Sequence, residues 1–220
     1  MIVNGKRREN FKVLNYRYST LAYSPDANFI GNTGLITQGE NDFGELEIDI
    51  YLESEDRDQM HREISEISKM FRICTVSFED TSIEYVGTLN SLSVEQITPL
   101  HSRLTVVLNA YSRGLLVEID LKESSNTIFI DGNMPCDVEY EFTPRGRKDT
   151  VKINDLQISN VQGGKKYLIS GISKKVLADS ENIFNSTNIF SFPRLAPGEN
   201  TITVNHKDIN LKLRYYPRFY

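Results

Sequence analysis

The residues able to do chemistry are few, and their spacing does not suit it. The histidines are His61, His101 and His206. They fall on a helical stretch, at a turn and in a loop. None stands beside a nucleophile signature, since the chain has no GxSxG, no HExxH and no Cys-His pair at a recognised spacing. They read as solvated surface side chains. Glu118 and Asp120, like Glu45, Glu47 and Asp49, alternate with large aliphatics, which is the pattern of a wet strand face rather than of paired carboxylates set for acid-base work. Asp131, Asp137 and Glu139 cluster around a turn with oxygen ligands suited to calcium, yet they match no EF-hand spacing. The stretch "QGGKKY", Gln162 to Tyr167, ends like a phosphate loop. Ser159 stands where the first glycine belongs and Lys166 where a Ser or Thr would hold magnesium, so the stretch reads as a hairpin turn. Cys74 and Cys136 fit neither a CxxC half-site nor a disulfide framework and read as two buried free thiols. Asn185-Ser186-Thr187 is a glycosylation acceptor only in a secreted chain. No catalytic centre, metal or cofactor is expected.

Charge narrows the partners further. Lys and Arg number 25 against 30 Asp and Glu, a net charge of -5 with no basic stripe, which argues against nucleic acid as a specific ligand. No apolar run approaches the roughly 18 to 20 residues of a membrane span. The opening "MIVNGKRRENFKVLNY" lacks the apolar core of a secretory signal, so synthesis in a cytoplasm is expected.

Nearly every element that would position these residues reads as strand. A helix over about residues 55–71 is the exception: Ser54 suits the N-cap, Glu55 and Asp56 the first turn, and Lys69 and Arg72 the carbonyl end. Met60, Ile64, Ile67 and Phe71 form its apolar face. Before it, Leu46, Ile48, Ile50 and Leu52 alternate with polar residues; after it, Cys74, Val76 and Phe78 do so, and later Leu104, Val106, Leu108 and Ala110. Residues 19–44 break the pattern. Their glycines, asparagines and aperiodic apolar residues, Leu21, Tyr23, Phe29, Ile30, Leu35, Ile36 and Phe43, suggest an arm docking on a neighbouring subunit rather than a solvated loop.

From Tyr111 onward strands recur at about ten-residue spacing, the rhythm of an antiparallel β-sandwich. The expected fold is mainly β: an N-terminal domain over 1–111 carrying the helix and the arm, and a sandwich over 112–220. Ala196-Pro197-Gly198-Glu199 reads as a type II turn opening a terminal hairpin. There are 11 Tyr and 11 Phe with no Trp, and aromatics crowd the last six residues. Tyr215 and Phe219 suit the core, which leaves Tyr216, Arg218 and Tyr220 for a partner surface.

The stretch "FPRLAPGENTITV" and the strand ending "LRYYPRFY" resemble the C-terminal signature of distal tail (Dit) proteins of siphoviruses that infect Gram-positive bacteria. The shared positions are Phe192, Pro193, Leu195, Pro197, Gly198 and Asn200. An opening "MIVNGK", the strand-to-helix run "LEIDIYLESEDRDQMHREISEISKMF", "GTLNSLSVEQI" and "SRLTVVLNAY" follow in the order of that family's N-terminal domain. The resemblance implies a virion structural protein, not an enzyme. It would form a homo-hexameric ring at the tail tip, the N-terminal domain stacking on the major tail tube protein. A galectin-like or carbohydrate-module-like sandwich would anchor receptor-binding or other baseplate proteins, and a tail-associated fibre or lysin (Tal) protein would sit on the other side. DNA would pass the lumen unbound, as a net negative charge permits. The chain has no room for the extra carbohydrate module of longer members, which favours a plain hub. The resemblance implies a phage or prophage as the source. A carbohydrate-binding sandwich that reads wall polysaccharide through exposed aromatics is the alternative, and the absence of Trp counts against it.

Overall fold

A computed structural model describes residues 1–7, 9, 11–19, 26–30, 33–37 and 44–219. The chain is mainly β with one α-helix, and divides into two compact units, Met1–Arg113 and Gly114–Phe219.

The first unit contains β1 (Ile2–Val3), β2 (Lys6–Arg7), β3 (Lys12–Ser19), β4 (Asp26–Ile30), β5 (Thr33–Thr37), β6 (Gly44–Glu53), α1 (Arg57–Phe71), β7 (Ile73–Ser77), β8 (Glu84–Thr98) and β9 (His101–Arg113). Its main sheet runs β2-β1-β7-β8-β9-β6-β3. Alternation along β6 and β9 sends Leu46, Ile48 and Ile50 opposite Leu108, Val106 and Leu104. All six are fully buried, giving cross-strand aliphatic pairs that hold the register. Helix α1 adds Met60, Ile67 and Phe71 to this core. Each buried apolar side chain is worth about 1.5–3 kcal/mol relative to exposure.

The helix begins later than the sequence suggests. Its N-cap is Asp56, whose side chain accepts from the Gln59 amide at 2.7 Å, and not Ser54. Ser54 Oγ instead bonds Glu63, one helical face further on. Either residue type suits a cap, and the tertiary partner for Ser54 decides between them. On the polar face of β6, hydrogen bonds from Arg103 and Thr105 hold the Asp49 carboxyl below its ordinary value. Tyr51 meets His101 Nδ1 at 2.7 Å, so His101 opens a strand rather than sitting in a turn.

The segment read as aperiodic holds a β-hairpin: β4 and β5 pair antiparallel, Phe29 opposite Gly34 and Ile30 opposite Thr33. Leu35 and Ile36 lie in β5, whereas Leu21 and Tyr23 are outside the described residues.

The second unit contains β10 (Val117–Leu121), β11 (Ser125–Ile130), β12 (Cys136–Phe142), β13 (Lys148–Ile153), β14 (Leu156–Val161), β15 (Tyr167–Ser170), β16 (Lys175–Ala178), β17 (Glu181–Asn182), β18 (Arg194–Leu195), β19 (Gly198–Thr203), β20 (Leu211–Tyr215) and β21 (Arg218–Phe219). One sheet runs β10-β20-β12-β15-β16-β17, with β18 also on β12. The pairs β11-β19 and β13-β14 are tied by an Ile153–Val204 bridge, and side chains from all these strands except β17 share one core.

Two expectations fail here. The terminal hairpin does not form, because β19 pairs with β11 while β20 pairs with β10 and β12. Alternation is correct on both strands, with Ile202, Leu211, Leu213 and Tyr215 buried, but alternation says nothing about which neighbour a strand takes. Likewise Gln162–Tyr167 is not a hairpin turn: it carries the chain from β14, paired with β13, to β15, paired with β12 and β16. Cys74 and Cys136 are free and buried, one in each unit, and burial pushes both thiols up to about 11.

Candidate functional site

Most of the acids singled out in the sequence, and His101 and His206, have structural partners. Arg214 bonds Glu118 at 2.6 Å, Glu139 at 3.1 Å and Glu141 at 2.7 Å, and Lys212 reaches Glu118 at 2.6 Å. Hydrogen bonds from Lys212 and Arg214 hold the Glu118 carboxyl below its ordinary value. Asp137 pairs with Lys174 at 3.0 Å, and Asp131 accepts from the Gly132 amide at 2.8 Å, so the Asp131, Asp137 and Glu139 trio does not converge. Among the described residues no group of three or more His, Cys, Asp or Glu could hold a metal ion. A ring nitrogen of His206 lies 2.8 Å from the Thr150 carbonyl. No helix is long and apolar enough to cross a membrane, among the described residues.

The segment around the Pro-Gly corner is the more informative region. The Val138 amide donates to the Pro193 carbonyl at 3.1 Å and Leu195 pairs with Cys136, which fastens Phe192–Leu195 to β12. Pro197 then leads into Gly198 at φ 89°, the positive value that the third position of a type II turn requires. Asn200 closes the corner, its Nδ2 donating to the Ala196 carbonyl at 2.8 Å and the Gly198 carbonyl at 3.0 Å. All six signature positions therefore shape one local structure. Replacing Asn200 with Ala is expected to cost about 1 kcal/mol for the lost bonds, seen as a lower urea midpoint with an unchanged slope.

Phe192, Pro193 and Leu195 also line a cleft of about 540 Å³ in the second unit. Tyr140, Ile153, Asp155, Leu156, Ile189 and Phe190 line it as well. Lys174 Nζ sits 5.6 Å from the centre of the Phe192 ring, steadying that wall. Tyr140 is only 3% exposed, and burial holds its phenol neutral far above the ordinary range. Phe190 is fully exposed.

The C-terminal aromatics divide. Tyr215 is buried and its hydroxyl meets the Phe129 carbonyl at 3.5 Å. Tyr216 and Arg218 are partly buried, and the Arg218 carbonyl accepts from the Asn133 and Met134 amides at 3.1 and 3.3 Å. Tyr220 lies outside the described residues.

No protein-family model matches the sequence, and no curated protein matches it. Solved structures do match. One is the SPP1 Dit protein, described as a paradigm of the hub adsorption apparatus in Gram-positive-infecting phages. It aligns with a TM-score of 0.76 at 14% identity, over 100% of this chain and 98% of that one. The chain has the Dit fold. Chains of the phage P2 baseplate in its activated conformation also align. The calcium-bound form gives a TM-score of 0.51 at 9% identity over 95% of this chain and 91% of that one. The strontium-bound form gives 0.50 at 10% identity over 94% and 90%. The Dit fold agrees with the mainly β reading and its single helix.

Sequence reasoning missed the cleft. Tyr140 sits at an inward position of β12 and reads as ordinary core, and Asp155 lies in the short link between β13 and β14. The one available signal was "NIFSFPRL", where Ile189, Phe190 and Phe192 are apolar without a strand period.

Proposed function

We propose that the protein is a non-enzymatic hub of a phage tail tip: a homo-hexameric ring joining the tail tube to a tail-associated fibre or lysin protein and to receptor-binding or baseplate proteins. The Dit fold carries this reading, because it accounts for the whole chain against nearly the whole of SPP1 Dit. The commitment of Glu118, Asp137, Glu139 and His206 to ion pairs and backbone bonds supports a scaffold over an enzyme.

Ring closure needs two different surfaces of one subunit to meet head to tail. Besides the two-residue β2, the first unit offers two longer open ladder edges among the described residues. Strand β3 pairs only with β6, and β8 runs on past Thr88, where its pairing with β7 ends. The overhang carries Val94 and Ile97, 45% and 56% exposed, and Leu100, 38% exposed, follows in the turn to β9. A long apolar edge of this kind invites strand addition by another copy.

Purified protein is expected to show a light-scattering mass of six times the 25.2 kDa protomer and a ring with a central hole in negative stain. A mass that stays at the protomer value even with tail tubes added would refute the hub. Changing Val94 and Ile97 together to Glu should leave the protomer within about 0.5 kcal/mol, as exposed positions usually do. In a ring it would bury unpaired charge at a cost of several kcal/mol. A hexamer surviving that change would remove the β8 edge from the interface.

A further inference from the structure

The cleft beside the Pro-Gly corner has features that packing alone does not account for. The Tyr140 hydroxyl makes no hydrogen bond to another described residue, and its side chain, only 3% exposed, lines the cleft. That leaves the hydroxyl free to donate to an acceptor held in the cleft. On the rim, the exposed Asp155 carboxylate has no ion pair or hydrogen bond among the described residues. Beside it Phe190 presents its whole ring to solvent. The walls are Ile153, Leu156, Ile189, Phe192 and Leu195. Apolar walls around a few unmet polar groups, in a volume of this size, are the ordinary make-up of a ligand site.

The remaining polar groups choose the ligand. Asn188 gives its amide to the Asp155 carbonyl and takes the Gln157 amide, and Asn154 accepts from both the amide and the hydroxyl of Thr203. Arg194 is held by Asp137 at 3.5 Å and by the Pro135 carbonyl. A saccharide, which needs several free amides or carboxylates around each ring, would find these already engaged. An apolar side chain would fit the walls, with a carbonyl within reach of Tyr140 and a cation beside Asp155, the one charge in the cleft without a partner.

We propose that this cleft docks an extended polypeptide segment that carries a large apolar or aromatic side chain next to a lysine or arginine. The anchor fills the space against Phe192 and Leu195, Phe190 closes over it, and Tyr140 donates to a main-chain carbonyl of the segment. The proposal rests on the hub reading only for the source of that segment, a protein assembled on the tail tip.

The test uses the full chain and dye-labelled octapeptides of the form Gly-Ser-Gly-Φ-X-Gly-Ser-Gly, with Φ as Trp, Phe, Leu or Ala and X as Lys or Glu, read by fluorescence anisotropy. Trp or Phe with Lys is expected to bind at least about tenfold more tightly than Ala with Lys. Asp155→Asn should remove the preference for Lys over Glu while leaving the aromatic preference. Tyr140→Phe, which keeps the ring and its packing, should weaken binding roughly tenfold. Phe190→Ala, at an exposed position that cannot threaten folding, should do the same. Binding indifferent to Φ, or unaffected by Tyr140→Phe and Phe190→Ala, would overturn the proposal. So would chitohexaose binding that these two substitutions abolish, which would make the cleft a sugar site. The ring measurement is separate: a hexamer with a silent cleft sinks only this inference, and a monomer that binds the aromatic peptides sinks only the hub.

Discussion

A Phe71→Ala chain is expected to unfold its first unit with about 3–5 kcal/mol less stability, the range for deleting a buried aromatic ring. Phe71 heads the largest fully buried side chains and ends the helix that packs on the sheet core with Met60 and Ile67. A fifteen-residue helix is marginal by itself in water, so α1 persists through this face rather than through its own propensity. Removing the ring therefore loses transfer energy and leaves a cavity in the core cluster to which Leu46 and Leu104 also belong. Urea unfolding followed by far-UV circular dichroism checks it. A midpoint shifted by less than about 1 kcal/mol would mean that the helix does not depend on this contact.

The second large effect concerns assembly. Phe29→Asp together with Ile30→Asp is expected to prevent the proposed ring from forming while the circular dichroism spectrum stays unchanged. Strands β4 and β5 have five residues each and pair only with one another among the described residues. A lone two-stranded hairpin is at best marginally stable in water, so it needs a surface to cover. In the proposed ring a neighbouring subunit would supply one. Light scattering decides the matter, since an intact ring in the double variant would take the arm out of the interface.

Burial was more legible in the sequence than pairing was. Period-two alternation placed Leu46, Ile48, Ile50, Leu104, Val106 and Leu108 inside, and each is fully buried. Heptad-like spacing found α1, with its cap displaced by two residues because Ser54 has a partner in Glu63 that local pattern does not reveal. What failed was the choice of neighbours. Ile202 and Leu211 lie in adjacent stretches of sequence, and a hairpin was the economical guess. Instead β19 crosses to β11, whose partners Asn126 and Ile202 are far apart in the chain. Non-local pairing of this sort is set by how two layers close over a core, and no window of ten residues contains that information. The cleft was hidden for a related reason. Tyr140 is an unremarkable core position until the segment from Ile189 to Leu195 folds back beside it. The Pro-Gly corner, by contrast, was readable because every group that makes it lies between Ala196 and Asn200.

The position of β20 also governs when the second unit can take shape. In the sheet it lies between β10 and β12, yet it follows both of them, and seven intervening strands, along the chain. Strands β10 and β12 have no ladder to each other, so while the chain is being synthesised they must wait, unjoined, until Leu211–Tyr215 has emerged. Closing so long a loop before any pairing rewards it slows folding. A nascent chain stalled before Leu211 would thus hold a nearly finished first unit and a second one without its central seam, which makes the late-arriving β20 the timer for this half of the molecule.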